Sequence, residues 1–171
     1  MSSSDLHLLR LDDSHEVEEF DSGRPELDDW LQRHALAAQQ MDSARTFVAV
    51  RSSRVVGYFS LTMGSVLREE APKRLVRGMP AYPVLMVLVA RLAVDRAEQG
   101  AGLGARLLAD ALRMAVAAGE AAAARLIVVD ALDERAAGFY RRHGFIAPLD
   151  NPLRLSRRMK DVRASLDAAN G

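Results

Sequence analysis

Three glycines fall within five residues, at Gly100, Gly102 and Gly104, and Gln99 stands directly before them. The apolar run "VLMVLVARLAV" precedes them and the apolar-periodic "LGARLLADAL" follows. Strand, glycine turn and helix start, in that order, suit an anion. Without Cβ atoms, successive N–H groups can approach a diphosphate closely, and the helix adds its positive end. Two nucleotide motifs fail on spacing. A P-loop needs GxxxxGK[ST], and no lysine follows these glycines. A dinucleotide fingerprint is GxGxxG in a first βαβ unit, whereas here the third glycine comes one residue early and the loop lies mid-chain, after a hairpin. What remains is Q-x-x-G-x-G at Gln99, Gly102 and Gly104, or a glycine-rich turn that holds no ligand.

Other chemistry is bounded by composition. The chain of 171 residues has no cysteine, which excludes disulfides, thiolate metal sites and a cysteine nucleophile. No metal site is expected. Formal charge is zero, so no global field attracts nucleic acid, but "REEAPKRLVR" and "RLSRRMK" end basic and are local patches able to meet phosphates. No run is long enough to span a membrane, since the longest, "PVLMVLVARLAV", is interrupted by Arg91. "MSSSDLHLLR" lacks the apolar region of a signal peptide, so a cytoplasmic protein is expected, without membrane partners. No residue stands out as a general base. Glu69, Glu70 and Asp95 read as solvated or capping carboxylates, and His34 and His143 are scattered, His143 near a helix end where its charge would be favourable. Lacking a base, a lysine amine of pKa about 10.4 is a poor acceptor and an α-amine near 7.7 a better one.

The elements that must position these groups follow from periodicity. "LHLLRL" is a short strand. "RPELDDWLQRHALAAQQMDSA" reads as one helix, with Pro25 in its first turn, Glu26, Asp28 and Asp29 at its positive end, and Leu27, Trp30, Leu31, His34 and Ala38 at helical spacing. "RTFVAVRSSRVVGYFSLTMGSV" is a hairpin turning at Ser52 and Ser53. "LREEAPKRLVRGMPAYP" is a long loop with room for one helical turn. "VLMVLVARLAVD" and "ARLIVVDAL" are buried strands. The helix after the glycines carries its apolar stripe on Leu103, Leu107, Leu108, Ala111, Leu112 and Ala115 and is expected to stop at Gly119. "DERAAGFYRRHG" is a short helix stopped by Gly144, "FIAPLD" and "LRLSRRM" are two final strands, and "KDVRASLDAANG" is expected to add a turn and fray. The sum is one α/β domain over residues 1–171, a mixed twisted sheet of about six to seven strands flanked by about four helices, with residues 1–5 and 162–171 flexible or peripheral.

Gln99-x-x-Gly102-x-Gly104 resembles motif A of the GNAT N-acetyltransferases, (Q/R)-x-x-G-x-(G/A). "AAGFYRRHGF" resembles the same superfamily's second motif, "A..FY...GF". The resemblance runs from Leu6 to Met159 in order and spacing. It implies acetyl-CoA as co-substrate, with Leu92, Ala93 and Val94 offering backbone to the pantetheine arm. Gln99, Gly100, Ala101, Gly102, Leu103, Gly104 and Ala105 would hold the pyrophosphate, and Tyr140 would point at the thioester sulfur. A phenol of pKa about 10 facing a thiol of about 8.5 hands over its proton uphill by roughly 2 kcal/mol. Tyr140 is therefore a general acid, or at least a hydrogen-bond donor to the developing thiolate; the alternative is a ring that packs while its hydroxyl meets water.

"FDSGRPELDDWLQRHALAAQQMDSARTFVAV" is similar to the N-terminal signature of GNAT toxins of the TacT and AtaT type, "F.cG...LD.WL...A...Q..g..RTFV", with Ser22 where that group often has cysteine. The resemblance implies acetylation of the α-amine of aminoacyl-tRNA, a block of translation, a masking ribbon-helix-helix antitoxin and a homodimer. It also gives the basic residues an expected role, in which Arg45, Lys73, Arg74, Arg77, Arg91, Arg141 and Arg142 would position the tRNA through phosphate contacts. A GNAT enzyme acting on a small amine or a protein N-terminus is the alternative.

Overall fold

The computed structural model describes residues 5–171; Met1 to Ser4, most of the N-terminal stretch expected to be peripheral, lie outside the described residues. The chain runs β1 (Leu6–Arg10), α1 (Pro25–Arg33), α2 (Ala35–Gln40), β2 (Arg45–Arg51), β3 (Arg54–Val66), α3 (Lys73–Val76), β4 (Val84–Val94), α4 (Leu103–Ala122), β5 (Leu126–Asp130), α5 (Glu134–Arg142), β6 (Arg154–Arg158) and α6 (Met159–Ala169). The six strands form one mixed sheet in sequence order. β1–β2, β2–β3 and β5–β6 are antiparallel, while β4 and β5 are parallel. Parallel neighbours need a crossover, and α4 supplies it. The hairpin of β2 and β3 turns on Ser52 and Ser53, both left-handed (φ 51° and 70°), the pattern that matches strand twist in a two-residue turn.

The fold divides into two compact units, residues up to Thr62 with Ala90–Ala111, and Met63–Val89 with Leu112–Gly171. In the first, Leu31 and Ala35 of the helical arm pack with Leu11, Phe20, Val48, Val50, Val55, Tyr58 and Ala93. Tyr58 is at the centre. Its ring meets Phe20 edge-on and Trp30 in a stack, and its hydroxyl donates to the Leu27 carbonyl at 2.7 Å. The residues of the N-terminal signature are thereby accounted for as packing and joints. Gln39, for example, accepts from Thr46 N–H at 3.0 Å and donates to the Leu11 carbonyl, tying α2 to β1 and β2. Gly57 leaves room for α4, since a Cβ there would lie 2.7 Å from a Leu107 methyl.

In the second unit, Val66, Ala71, Leu75, Val76, Val84, Met86, Leu126 and Val128 form the core. α5 closes with a Schellman turn. Gly144 (φ 89°) donates to the Arg141 carbonyl at 3.1 Å and Phe145 N–H to the Tyr140 carbonyl at 3.2 Å. That geometry lays the Phe145 ring against Tyr140, 5.9 Å between centroids.

Four expectations are corrected. The helix expected from Pro25 breaks in two at His34 (φ −123°). α4 does not stop at Gly119 but runs to Ala122. Gly119 is there for packing, because a Cβ would sit 2.5 Å from the Met159 methyl. "FIAPLD" is no strand; only Ile146 bridges to Ser156. The tail does not fray after one turn but forms α6 over eleven residues, with Val162 fully buried.

Candidate functional site

The glycine loop belongs to the first unit. β4 ends at Val94, and a 3-10 turn (Arg96–Glu98) leads to Gly100 and Gly102, both left-handed (φ 87° and 85°). A Cβ on either would meet no protein atom within 4 Å. Glycine is thus required by the backbone turn and leaves the outer face open. The first helical bond runs from Arg106 N–H to the Gly102 carbonyl at 3.1 Å. Among the described residues, the amides of Gly100, Ala101, Gly102, Leu103, Gly104 and Ala105 donate to no protein acceptor. Leu103 is buried, Gly104 half-buried, and Gly100, Ala101, Gly102 and Ala105 are exposed. A run of free N–H groups opening a twenty-residue helix is the arrangement that takes a diphosphate. Upstream, Ala93 is buried and Leu92 and Val94 are half-buried.

Gln99 is placed otherwise than expected of a phosphate ligand. Its side-chain amide donates to the carbonyls of Val94 and Ser22, each at 2.9 Å, and so holds the loop rather than reaching outward. It is one of several stitches that the residue pattern alone did not reveal. Asp95, 2% exposed, accepts from Ala97 N–H at 3.0 Å and Asp21 N–H at 3.1 Å, and pairs with Arg54 at 3.3 Å. Arg96 N–H donates to the Asp21 carbonyl at 2.8 Å, and its guanidinium to the Asp21 carboxylate at 3.1 Å. Asp21–Gly23 and Asp95–Gln99 are therefore one joint. Asp95 as a capping carboxylate was legible. That its second oxygen reaches a segment 74 residues away was not.

Tyr140 belongs to the second unit. α5 starts on Asp133, whose side chain accepts from Ala136 N–H at 2.9 Å. The ring of Tyr140 is 5% exposed, held by Phe139 at 5.2 Å and by Phe145. No hydrogen bond of its hydroxyl is seen among the described residues. Burial, and then the Asp130 carboxylate, push its pKa above the ordinary phenol value, so the proton is firmly held. Asp130 is itself fixed by a bidentate pair with Arg154 at 2.7 and 2.9 Å. The pKa of His143 is lowered, first by burial and then by Arg142 and Arg157, which disfavours the helix-end charge expected of it.

The basic residues differ in their local surroundings. Arg91 lies 4.1 Å over the Trp30 ring, and burial depresses its pKa. Arg45 pairs with Asp42 and donates to the Gln39 carbonyl at 2.9 Å. Both are joints of the first unit. In the second unit Arg141 pairs with Glu134, and its guanidinium lies with that of Arg142 beside Gly138. Lys73, Arg74 and Arg77 are exposed and, among the described residues, pair with no acid. No group of His, Asp and Glu suited to a metal occurs among the described residues, and no helix is long and apolar enough to cross a membrane.

Residues 9–145 match the model of the Acetyltransferase (GNAT) family. A "tRNA-acetylating toxin" of Mycobacterium tuberculosis is 47% identical over 156 residues, 91% of this chain and 93% of that protein. Among solved structures, AtaT complexed with acetyl-methionyl-tRNAfMet superposes with a TM-score of 0.86 at 28% identity, covering 95% of this chain and 99% of AtaT. AtaTR bound with acetyl-CoA gives 0.84 at 29% identity, with 95% and 99% covered.

Proposed function

The chain belongs to the acetyltransferase (GNAT) family, and from that premise we propose that it moves the acetyl group of acetyl-CoA to the α-amine of aminoacyl-tRNA and thereby stops translation. The observation that carries this reading is the 47% identity, over nearly the whole of both chains, with a tRNA-acetylating toxin. Residues 1–171 act as one acetyltransferase domain. The free amides from Gly100 to Ala105 bind the pyrophosphate. Leu92, Ala93 and Val94 flank the pantetheine arm, and Gln99 keeps the loop in place. The amine nitrogen bonds to the acetyl carbon, the carbon–sulfur bond breaks, and the thiolate is met by the Tyr140 hydroxyl. Because burial raises that phenol, full transfer of its proton is more uphill than for a free tyrosine. Tyr140 therefore shares its proton with the developing thiolate while the amine's proton is lost to solvent.

An α-amine fits the state of the carboxylates weighed as bases. Asp95 is consumed in its joint, Glu69 and Glu70 are exposed, and an α-amine near pKa 7.7 is already partly free. The enzyme works in the cytoplasm with charged tRNA, as a homodimer masked by a ribbon-helix-helix antitoxin, partners in keeping with relatives solved with tRNA and with the antitoxin AtaR. The direct test is mass spectrometry of a total aminoacyl-tRNA pool incubated with acetyl-CoA and enzyme. Acetyl is expected on the amino acids of charged tRNA; label on free amines or protein N-termini alone would replace this reading by the alternative.

Lys73, Arg74 and Arg77, unpaired and exposed, are the contacts to phosphate we propose first, with Arg142 and the half-neutralised Arg141 beside Tyr140. Arg45 and Arg91 contribute by holding the first unit. Reversing all three charges of Lys73, Arg74 and Arg77 is expected to weaken tRNA binding and flatten the log K against log[salt] slope by about 2 to 3. An unchanged slope removes this patch from the interface.

A further inference from the structure

A cleft of about 590 Å³ opens in the second unit, between the loop ahead of β4, the turn between α4 and β5, and the junction of β6 with α6. Its floor is tied by backbone. Arg125 N–H donates to the Leu85 carbonyl at 2.9 Å, and Met159 N–H to the Arg125 carbonyl at 2.8 Å. Five cations line it, Arg77, Arg125, Arg158, Lys160 and Arg163, with no carboxylate among the lining residues. Asp161 pairs with Arg158 at 2.7 Å, and Glu120 with Arg163 at 3.2 Å. Arg77, Arg125 and Lys160 are exposed and have no acid partner among the described residues. Tyr82 stands at the same cleft with 68% of its surface exposed, a large share for an aromatic side chain.

The cleft and the carboxylate that acts on Tyr140 lie at opposite ends of β5. Arg125 immediately precedes β5, whereas Asp130 and then α5 with Tyr140 follow its other end. At about 3.3 Å per residue, β5 puts roughly 15 Å between them. We propose that this cleft is a second anchoring site, which binds the sugar-phosphate backbone of tRNA beyond its amino-acid end. The inference rests on the substrate class proposed above and adds a site to it.

The chemistry favours a strung polyanion over a small one. The cations are solvated, they come from three separate segments and they converge on no buried point. That arrangement suits successive phosphates, which position a nucleic acid without reading its sequence. An exposed ring among them offers a stacking face to an unpaired base or a ribose. Arg77 links the two regions, since it lines the cleft and also ends the patch begun by Lys73 and Arg74. A backbone running along that line would meet Lys73, Arg74 and Arg77 and then the cleft.

The test uses the full chain carrying Arg125→Glu with Lys160→Glu, and separately Tyr82→Ala, all exposed positions whose folding is checked by thermal melting. Two substrates are compared, intact aminoacyl-tRNA and a short aminoacylated 3′-terminal fragment too small to reach the cleft. The double variant is expected to raise KM for intact tRNA about tenfold and to flatten the salt slope by about 2. Tyr82→Ala should raise KM a few-fold with no change of slope. Both should acetylate the fragment as the unaltered protein does. Equal losses on both substrates, or none on either, overturn the proposal, as does a change of oligomeric mass with tRNA affinity intact, which would assign the cleft to a second copy. Binding of uncharged tRNA separates the two readings. If the unaltered protein acetylates no charged tRNA yet the double variant weakens tRNA binding, the substrate reading fails and the cleft stands. If acetylation proceeds and tRNA binding by the variants is unchanged, only the cleft fails.

Discussion

Tyr140→Phe is expected to lower turnover by about a hundredfold or more, the usual scale for loss of a positioned proton donor. Acetyl-CoA affinity and melting temperature should barely move. The reason lies in what the hydroxyl does in the resting protein. The ring is fixed by Phe139 and by the Schellman turn that brings Phe145 over it, and phenylalanine keeps both contacts. No protein partner of the hydroxyl is seen among the described residues. Turnover close to that of the unaltered enzyme would remove Tyr140 from the chemistry.

The sign of the pH dependence follows from the same site. An ordinary phenol ionises near pH 10. Burial and Asp130 raise Tyr140 above that, so its donor form persists through the whole working range. Turnover should climb as the acceptor amine loses its proton, near pH 7.7, and then stay level to pH 10. A falling limb below pH 10 that vanishes in Tyr140→Phe would contradict the raised value. Tyr58 is the control. Burial raises its pKa too, so a raised value does not by itself mark a functional phenol. The difference is that Tyr58 donates to the Leu27 carbonyl. Tyr58→Phe should cost about 0.5–1.5 kcal/mol of stability and leave turnover alone. The two substitutions separate catalysis from packing within one chain.

What could be read from the amino acids divides along the range of the forces involved. Gly100 and Gly102 were legible because a left-handed backbone selects glycine locally. "FYRRHGF" was legible because a Schellman turn needs glycine in one place and an apolar residue in the next. Continuous apolar runs and β-branched and aromatic composition placed every strand but "FIAPLD", where a single bridge forms. The break at His34 was hidden, since neither glycine nor proline marks it and the apolar spacing continues across it. Gly119 misled because glycine has two uses. Its position close to the end of an apolar stripe suggested a helix stop, whereas the cause is a Met159 side chain 40 residues away. The tail misled for a similar reason. Val162 is buried by long-range packing that a polar, alanine-rich stretch does not advertise. The paired fates of Arg45 and Arg91, each drawn into a joint, likewise depend on partners distant in sequence or brought round by a turn. Charge counted along the chain could not distinguish them from Lys73, Arg74 and Arg77.

Asp95→Asn is expected to raise KM for acetyl-CoA about tenfold with kcat changed no more than two- to threefold, a loss of about 1.4 kcal/mol in binding. The carboxylate is 2% exposed and both its oxygens are engaged, one by Ala97 N–H and the other by Asp21 N–H and Arg54. Asparagine keeps one acceptor and turns the other into an NH₂, a donor that faces either Ala97 N–H or the Asp21 N–H and Arg54 pair. With one buried partner left unmatched, about 1–3 kcal/mol of folding stability should go as well. The kinetic split is what distinguishes a loop-positioning role from simple loss of folded protein. Fewer active molecules lower apparent kcat and leave KM alone, whereas a loosened joint between Asp21–Gly23 and Asp95–Gln99 misaligns the free amides after Gly100 and raises KM. Gly102→Ala reaches the same amides by another route. Its Cβ would touch no protein atom, so it should cost only the roughly 1–2 kcal/mol of a left-handed alanine, yet it places a methyl group where the diphosphate approaches. Both variants should therefore weaken acetyl-CoA binding at unchanged tRNA affinity. If calorimetry shows acetyl-CoA bound by each as tightly as by the unaltered protein, the loop is only a turn, and the N-terminal joint holds nothing that the reaction uses.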